Sequence, residues 1–274
     1  MESLDGIRAK LNRAKEHLDV LDEKISTYLA NEPYRVVGEE HTAEGYINHT
    51  LWLEVDAFPP DDVWGPIIGD AVHNLRSALD HLAWQLALES VLAKTPWRIE
   101  FPIILDDPAS NPEVRGRFSG KLKLLRPDSH ALIEAAQPYK TGGSSHPLWL
   151  LQSLWNTDKH RVLHVPGFMF GTPAENDAGF GFNGWTYGPF RRDGDNRTKL
   201  GGGSVSAAHA VGSPLQQAMD TYEAMTFDVS LGYSVGELPD QEAPYGGLPL
   251  RQVLRRLQSY VTTEIVAPLG ELIQ

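Results

Sequence analysis

The chain has 274 residues, 41% hydrophobic and 22% charged, with a formal net charge of −12 and no cysteine. That composition suits a globular protein long enough to bury a core, and it excludes disulfides, thiolate metal sites and a cysteine nucleophile. The acidic balance argues against broad, non-specific nucleic-acid binding, which needs a basic footprint. The opening MESLDGIRAKLNRAKEHL has no apolar signal-peptide core. No apolar run approaches the roughly 18 residues of a membrane span. The expectation is a cytoplasmic protein with no membrane partner.

Leu4, Ile7, Leu11, Ala14, Leu18, Leu21, Ile25 and Tyr28 recur in alternating steps of three and four. This predicts an amphipathic helix over residues 1–31. Its heptad seam suits either a homodimer through a second copy or packing along a bundle. Asn31 and Pro33 stop it. Residues 34–58 read as a hairpin of two strands around EEHTAEG. Pro59, Pro60, Asp61 and Asp62 then form a break and an N-cap for a helix from about Asp62 to Leu92.

A helical core is expected over 62–165. Within it WRIEFPIIL is a short extended segment and DDPASNPEVRGRFSG a loop, and two short helices flank Arg126–Pro127. TGGSSHP is a loop with Pro147 in the first turn of a helix running to about His164. Residues 167–247 are rich in Gly and aromatics, with strands in AGFGFNGWTYGPF and AMTFDVSLGYSVG and an ambiguous LGGGSVSAAHAVGS. The GGGS there is not a phosphate loop, because no Gly-Lys-Ser/Thr follows. An amphipathic helix over about 249–266 closes the chain. Residues 1–274 therefore read as one domain of the α+β class, predominantly helical: a helical bundle with a small antiparallel sheet. Two basic clusters read as solvated loops, one at Arg115, Arg117, Lys121, Lys123 and Arg126, the other at Arg191, Arg192, Arg197 and Lys199.

The helix containing GDAVHNLRSALDHLAWQLALES has no Lys and only one Glu, Glu89. At about 100° per residue, Ile68, Ala71, Leu75, Ala78, Leu79, Leu82 and Leu86 fill one side. His73, Asn74, Arg76, Ser77, Asp80, His81 and Trp84 fill the other. A merely solvated face commonly carries Glu and Lys in i,i+4 pairs. Short-reach polar groups suit a network in which each needs a partner. That network is either structural, with Arg76 and Asp80 as an ion pair, or the wall of a functional cleft. A second polar set, Asn156, Asp158, Lys159, His160, Arg161 and His164, follows the apolar turn of LWNTDKHRVLH. His160 and His164, with Asp70 and His73, also have the donor types of a metal site, a third reading as a metal-dependent hydrolase.

Arg76-Ser-Ala-Leu-Asp80-His81 is an RxxxxH pattern on a helix. Here the chain resembles the HEPN superfamily, helical-bundle proteins of prokaryotic defence and toxin–antitoxin systems. Many of these are metal-independent endoribonucleases with an arginine and a histidine separated by four to six residues. GDAVHNLRSALDHLAW and LWNTDKHR are also similar to bacterial proteins of unassigned role. The superfamily resemblance implies a dimer with a composite site, single-stranded RNA as partner, no cofactor, no metal, and Arg76 and His81 as catalytic residues. An imidazole can exchange a proton near neutral pH, so His81 would act as base or acid. Arg76 would hold the phosphate and stabilise its developing charge. Asp80 or Asn74 would orient an imidazole, with His73, Ser77, Asp158, Lys159, His160 and Arg161 in supporting places. The alternative is a non-catalytic helical protein-interaction module whose Arg/His/Asp face is a structural polar network.

Overall fold

A computed structural model describes residues 4–160, 163, 165, 167–170, 186–190, 197–206, 213, 215–216, 226–229 and 249–273. The fold is α+β and mostly helical. Helix α1 (Asp5–Ala30) packs along α2 (Asp61–Gln85), and α6 (Pro147–Asp158) and α7 (Leu250–Tyr260) complete the bundle. Helix α7 continues through a π turn (Val261–Val266) into the short α8 (Ala267–Gly270). Shorter helices α3 (Glu89–Lys94), α4 (Pro112–Leu122) and α5 (His130–Ala135) lie between α2 and α6. No helix among the described residues is long and apolar enough to cross a membrane.

The heptad seam of α1 is spent inside its own chain. Ile7, Leu11, Ala14, Leu18, Leu21 and Ile25 are all buried in one cluster with Ile68, Leu75, Leu79 and Leu82 of α2 and Val253, Leu254 and Leu257 of α7. Each such aliphatic side chain contributes about 1.5–3 kcal/mol on burial. A dimer zipped through this seam would first have to strip that packing away. Asn31 is the C-cap, and Glu32 takes a left-handed φ of 47° before Pro33, so the helix ends where the sequence predicts. Arg255 of α7 ties the pair by donating to Asp19 and Asp22 of α1.

The hairpin is real, but its loop is shorter than EEHTAEG. Strand β1 (Tyr34–Ala43) and β2 (Tyr46–Val55) pair in antiparallel register from Tyr34 opposite Val55 to Ala43 opposite Tyr46. Only Glu44 and Gly45 turn, with φ of 51° and 78°. Two successive positive φ values make the two-residue turn whose twist matches paired strands. The ambiguous glycine-rich segment supplies β5 (Arg197–Ser206), the third strand beside β2. A second three-stranded sheet has β3 (Gly167–Phe170) between β4 (Thr186–Phe190) and β6 (Thr226–Val229). Leu51, Leu53 and Val55 form a small second core with Tyr28, Leu29, Val36 and Phe58, which seats the first sheet on the end of α1.

Three further expectations need correction. Helix α2 stops at Gln85 rather than near Leu92, because the next residues leave to pair with the chain after α4. Arg126 donates its N–H to Leu86 O and Leu88 donates its N–H to Leu124 O, around an Ala87–Leu125 bridge. Asp61 does not cap α2 with its side chain, since its Oδ1 accepts the N–H of Val165 at 2.7 Å. DDPASNPEVRGRFSG is not all loop: α4 begins at Pro112, with Asn111 Oδ1 accepting from the N–H groups of Glu113 and Val114.

Candidate functional site

The two polar sets do meet, since α2 and α6 are packed neighbours. What they enclose is a stretch of backbone. The segment after the Pro96–Arg98 turn is extended but pairs with no strand among the described residues. Its Phe101 is 1% exposed, so its N–H and C=O need partners inside the protein. Asp80 Oδ1 accepts the Phe101 N–H at 3.0 Å, and Arg76 Nη2 donates to Phe101 O at 2.9 Å. The two side chains also bind each other, Nη2 to Oδ1, at 2.9 Å. One helical turn of α2 thus does for Phe101 what a neighbouring strand would do.

From the opposite side Gln137, fully buried, clamps the same segment. Its Oε1 accepts the Ile104 N–H at 2.9 Å, and its Nε2 donates to Pro102 O and Ile133 O. Helix α6 covers the arginine. Arg76 Nη1 donates to Gln152 Oε1 at 3.3 Å, Gln152 passes on to Asn156 Oδ1, and the guanidinium lies 5.3 Å from the Trp155 ring. Lys159 Nζ sits over the same ring at 2.9 Å. Arg76 ends only 4% exposed, and its Nε is buried without a hydrogen-bond partner among the described residues. Burial pushes the Asp80 carboxyl above its ordinary range, opposed by Arg76 and by the Phe101 N–H.

The remaining predicted residues divide by side of the helix. His81 is exposed on the flank of α2 facing α1, where a Cβ on Gly6 would come within 3.1 Å of its Nδ1. Arg76 faces Phe101 and α6, so among the described residues of one chain the RxxxxH pair lines no common cleft. Asn74 is buried and donates its Nδ2–H to Asp70 O on its own helix. Ser77 Oγ and His73 Nε2 are 3.4 Å apart on the exposed face.

Asp158 lies directly on the backbone of α2: a Cβ on Gly69 would overlap its carboxylate. Burial, then the like charge of Asp70, raises its carboxyl above the usual value, and His73 partly offsets this.

Among the described residues no three His, Asp or Glu side chains converge on one point. Helix α6 ends at Asp158, so His160 stands in the turn beyond it rather than on a helix face. His164 and Arg161 lie outside the described residues. The first basic cluster is largely committed: Arg115 to Pro108 O and Ala109 O, Lys121 to Glu100, Arg126 to Asp128 and Leu272 O. In the second, Arg191 and Arg192 lie outside the described residues, and Arg197 and Lys199 belong to β5.

Sequence reasoning passed over Gln137, Gln152 and His146. Gln137 is an unremarkable glutamine before Pro138, and no local signal marks it. His146 is the N-cap of α6: its Nδ1 accepts the Leu148 N–H at 3.1 Å, while its Nε2 lies 2.9 Å from Tyr260 Oη.

Fold and site together define an α+β, predominantly helical bundle in which Arg76 and Asp80 of α2 and Gln137, just after α5, satisfy a buried segment that pairs with no strand among the described residues. Compared with known proteins, the chain matches no family model, no curated protein and no solved structure.

Proposed function

We propose that this chain is a non-catalytic helical protein-interaction module in which the Arg76–Asp80 pair serves the fold. The carrying observation is the 4% exposure of Arg76. Its Nη atoms are committed to Asp80, Phe101 O and Gln152, and Trp155 covers its face, which leaves no exposed edge to grip a phosphate. Surface aromatics supply contact area of the kind interfaces use: Trp97 is 77% exposed and Trp84 45%. The test is Arg76→Ala, assayed for stability and, in parallel, for RNA cleavage by the wild type in EDTA. This reading expects a lower melting temperature and no cleavage by either protein. A variant with wild-type stability that has lost an activity refutes it.

The second reading is the HEPN-like, metal-independent endoribonuclease acting on single-stranded RNA. The observation favouring it is His81, an exposed imidazole five residues from Arg76. It requires Gln152 and Trp155 to move off the arginine when RNA binds. It expects cleavage in EDTA that leaves 2′,3′-cyclic phosphate ends, lost in His81→Ala. Undiminished cleavage by a folded His81→Ala protein removes His81 from the mechanism.

A further inference from the structure

Helix α6 is held at its first turn by a group that works in one protonation state only. His146 is 4% exposed and caps the helix through an imidazole rather than the usual hydroxyl or carboxylate. Its Nδ1 accepts the Leu148 N–H, so that lone pair is committed and the single proton of the neutral ring sits on Nε2. From there it donates to Tyr260 Oη at the end of α7, the two rings meeting edge to face at 5.1 Å.

The cap follows a turn in which Gly142 and Gly143 hold φ of 79° and 51°, conformations open to glycine at little cost. His146 also donates its own N–H to Gly143 O, and its carbonyl accepts from Trp149 and Leu150.

We propose that His146 is a proton-operated latch: neutral, it fastens the start of α6 to α7, and protonated, it releases that end of the helix. A second ring proton would sit on Nδ1 and point at the Leu148 N–H, donor against donor. The new positive charge would also stand at the positive end of the α6 dipole. Little nearby compensates for it. From α7 the titratable group facing the ring is Tyr260, with Glu264 acting on Tyr260 beyond it. The 142–145 turn brings Gly and Ser, and the first turn of α6 brings Leu and Trp. Among the described residues no carboxylate pairs with the imidazole. Burial accordingly holds His146 below its ordinary value of 6.5.

The sign follows from that direction. The unfolded or released histidine takes up a proton first, so the latch is at full strength above pH 6.5 and weakens as pH falls through the depressed folded value. What it releases matters, because α6 carries Gln152 and Trp155, the cover over Arg76.

The experiment is amide hydrogen exchange on the full chain between pH 7.5 and 5, corrected for the intrinsic pH dependence of exchange and read over residues 148–155. In the wild type, the opening equilibrium of this segment should rise up to about tenfold per pH unit below 6.5. In His146→Asn, which caps without titrating, it should stay flat. A flat wild-type profile, or the same rise in His146→Asn, overturns the proposal. Should His146→Asn fail to fold, nitrogen NMR of the wild-type ring decides. A neutral, Nε2-protonated imidazole at pH 7.5 that titrates below 6.5 together with the α6 amides supports the latch. A ring already charged at pH 7.5, or protonated on Nδ1, overturns it.

Discussion

Removing Arg76 and Asp80 together separates a clamp from an ordinary buried ion pair. Replacing both partners of a simple buried pair by apolar residues of similar volume is often neutral or stabilising, because two desolvation penalties vanish with the attraction. Here the pair also satisfies both backbone groups of Phe101, which is 1% exposed. Arg76→Met alone strands the Asp80 carboxylate and leaves Phe101 O without its donor. Breaking a fully buried pair costs about 3–5 kcal/mol. The Asp80 side chain is 33% exposed, so water recovers part of this, and about 2–4 kcal/mol is the expected loss. The double variant Arg76→Met/Asp80→Leu removes the lone charge but strands the Phe101 N–H and C=O together. Two such orphans cost about 2–6 kcal/mol, and relief of the two desolvation penalties offsets part of this, so the double should stay about 2–4 kcal/mol below wild type. Urea denaturation followed by helical circular dichroism measures all three proteins. A double variant as stable as wild type would refute the clamp and leave only an ion pair.

Three other perturbations probe neighbouring contacts by thermal melting or urea denaturation. Gln137→Leu keeps the volume but orphans the Ile104 N–H and the Pro102 carbonyl, so a loss of about 2–4 kcal/mol is expected. Equal stability would mean the segment finds other partners. Gly69→Ala should destabilise the wild type, because the new Cβ meets Asp158. In an Asp158→Ala background the same change should stabilise by up to about 1 kcal/mol through helix propensity. No coupling between the two sites would place Asp158 elsewhere. Asp158→Asn should raise the melting temperature at pH 7. The native carboxyl is raised above its unfolded value of 3.8, so its ionised form opposes folding, and the advantage should shrink as pH falls toward 3.8. A gap that widens on acidification would reverse the sign of that shift.

Much of the fold is written in short-range spacing. The seam from Ile7 to Ile25 names its own buried face, and the α7 stripe does the same. Asn111-Pro112-Glu113 carries a full helix-start signal, an N-cap side chain followed by Pro at the first turn, inside a stretch whose Asp, Pro and Ser otherwise suggest loop. The Glu44–Gly45 turn is harder to see, because glutamate rarely takes a positive φ and the familiar hairpin pairs are Asn-Gly and Asp-Gly. His146 was hidden by type, since imidazole is not among the preferred caps. The wheel put Arg76 on the polar side correctly by angle. It could not show that Phe101, 25 residues away, would lie across that side and close it.

That closure explains the odd composition of α2. A helix face turned to solvent needs only charge and propensity, which Lys and Glu provide. A face that must substitute for a strand needs a donor and an acceptor at fixed positions, one turn apart, reaching the two polar groups of a single residue. Asp80 provides an acceptor on a short stem that cannot wander. Arg76 provides two separate nitrogens, so one serves Asp80 and Phe101 while the other reaches Gln152. Lysine has a single nitrogen and no planar face to lay on Trp155. On the same helix, Asn74 is turned inward to its own backbone, while His73, Ser77 and His81 are left outside the clamp. The polar face is therefore two things: an inner edge whose residue types are dictated by the Phe101 backbone, and an outer edge whose histidines lie outside that clamp, His81 beside Gly6 of α1 and His73 near Asp158. With α6 in place, the polar groups of α2 that a partner meets first are those of the outer edge, His73, Ser77 and His81.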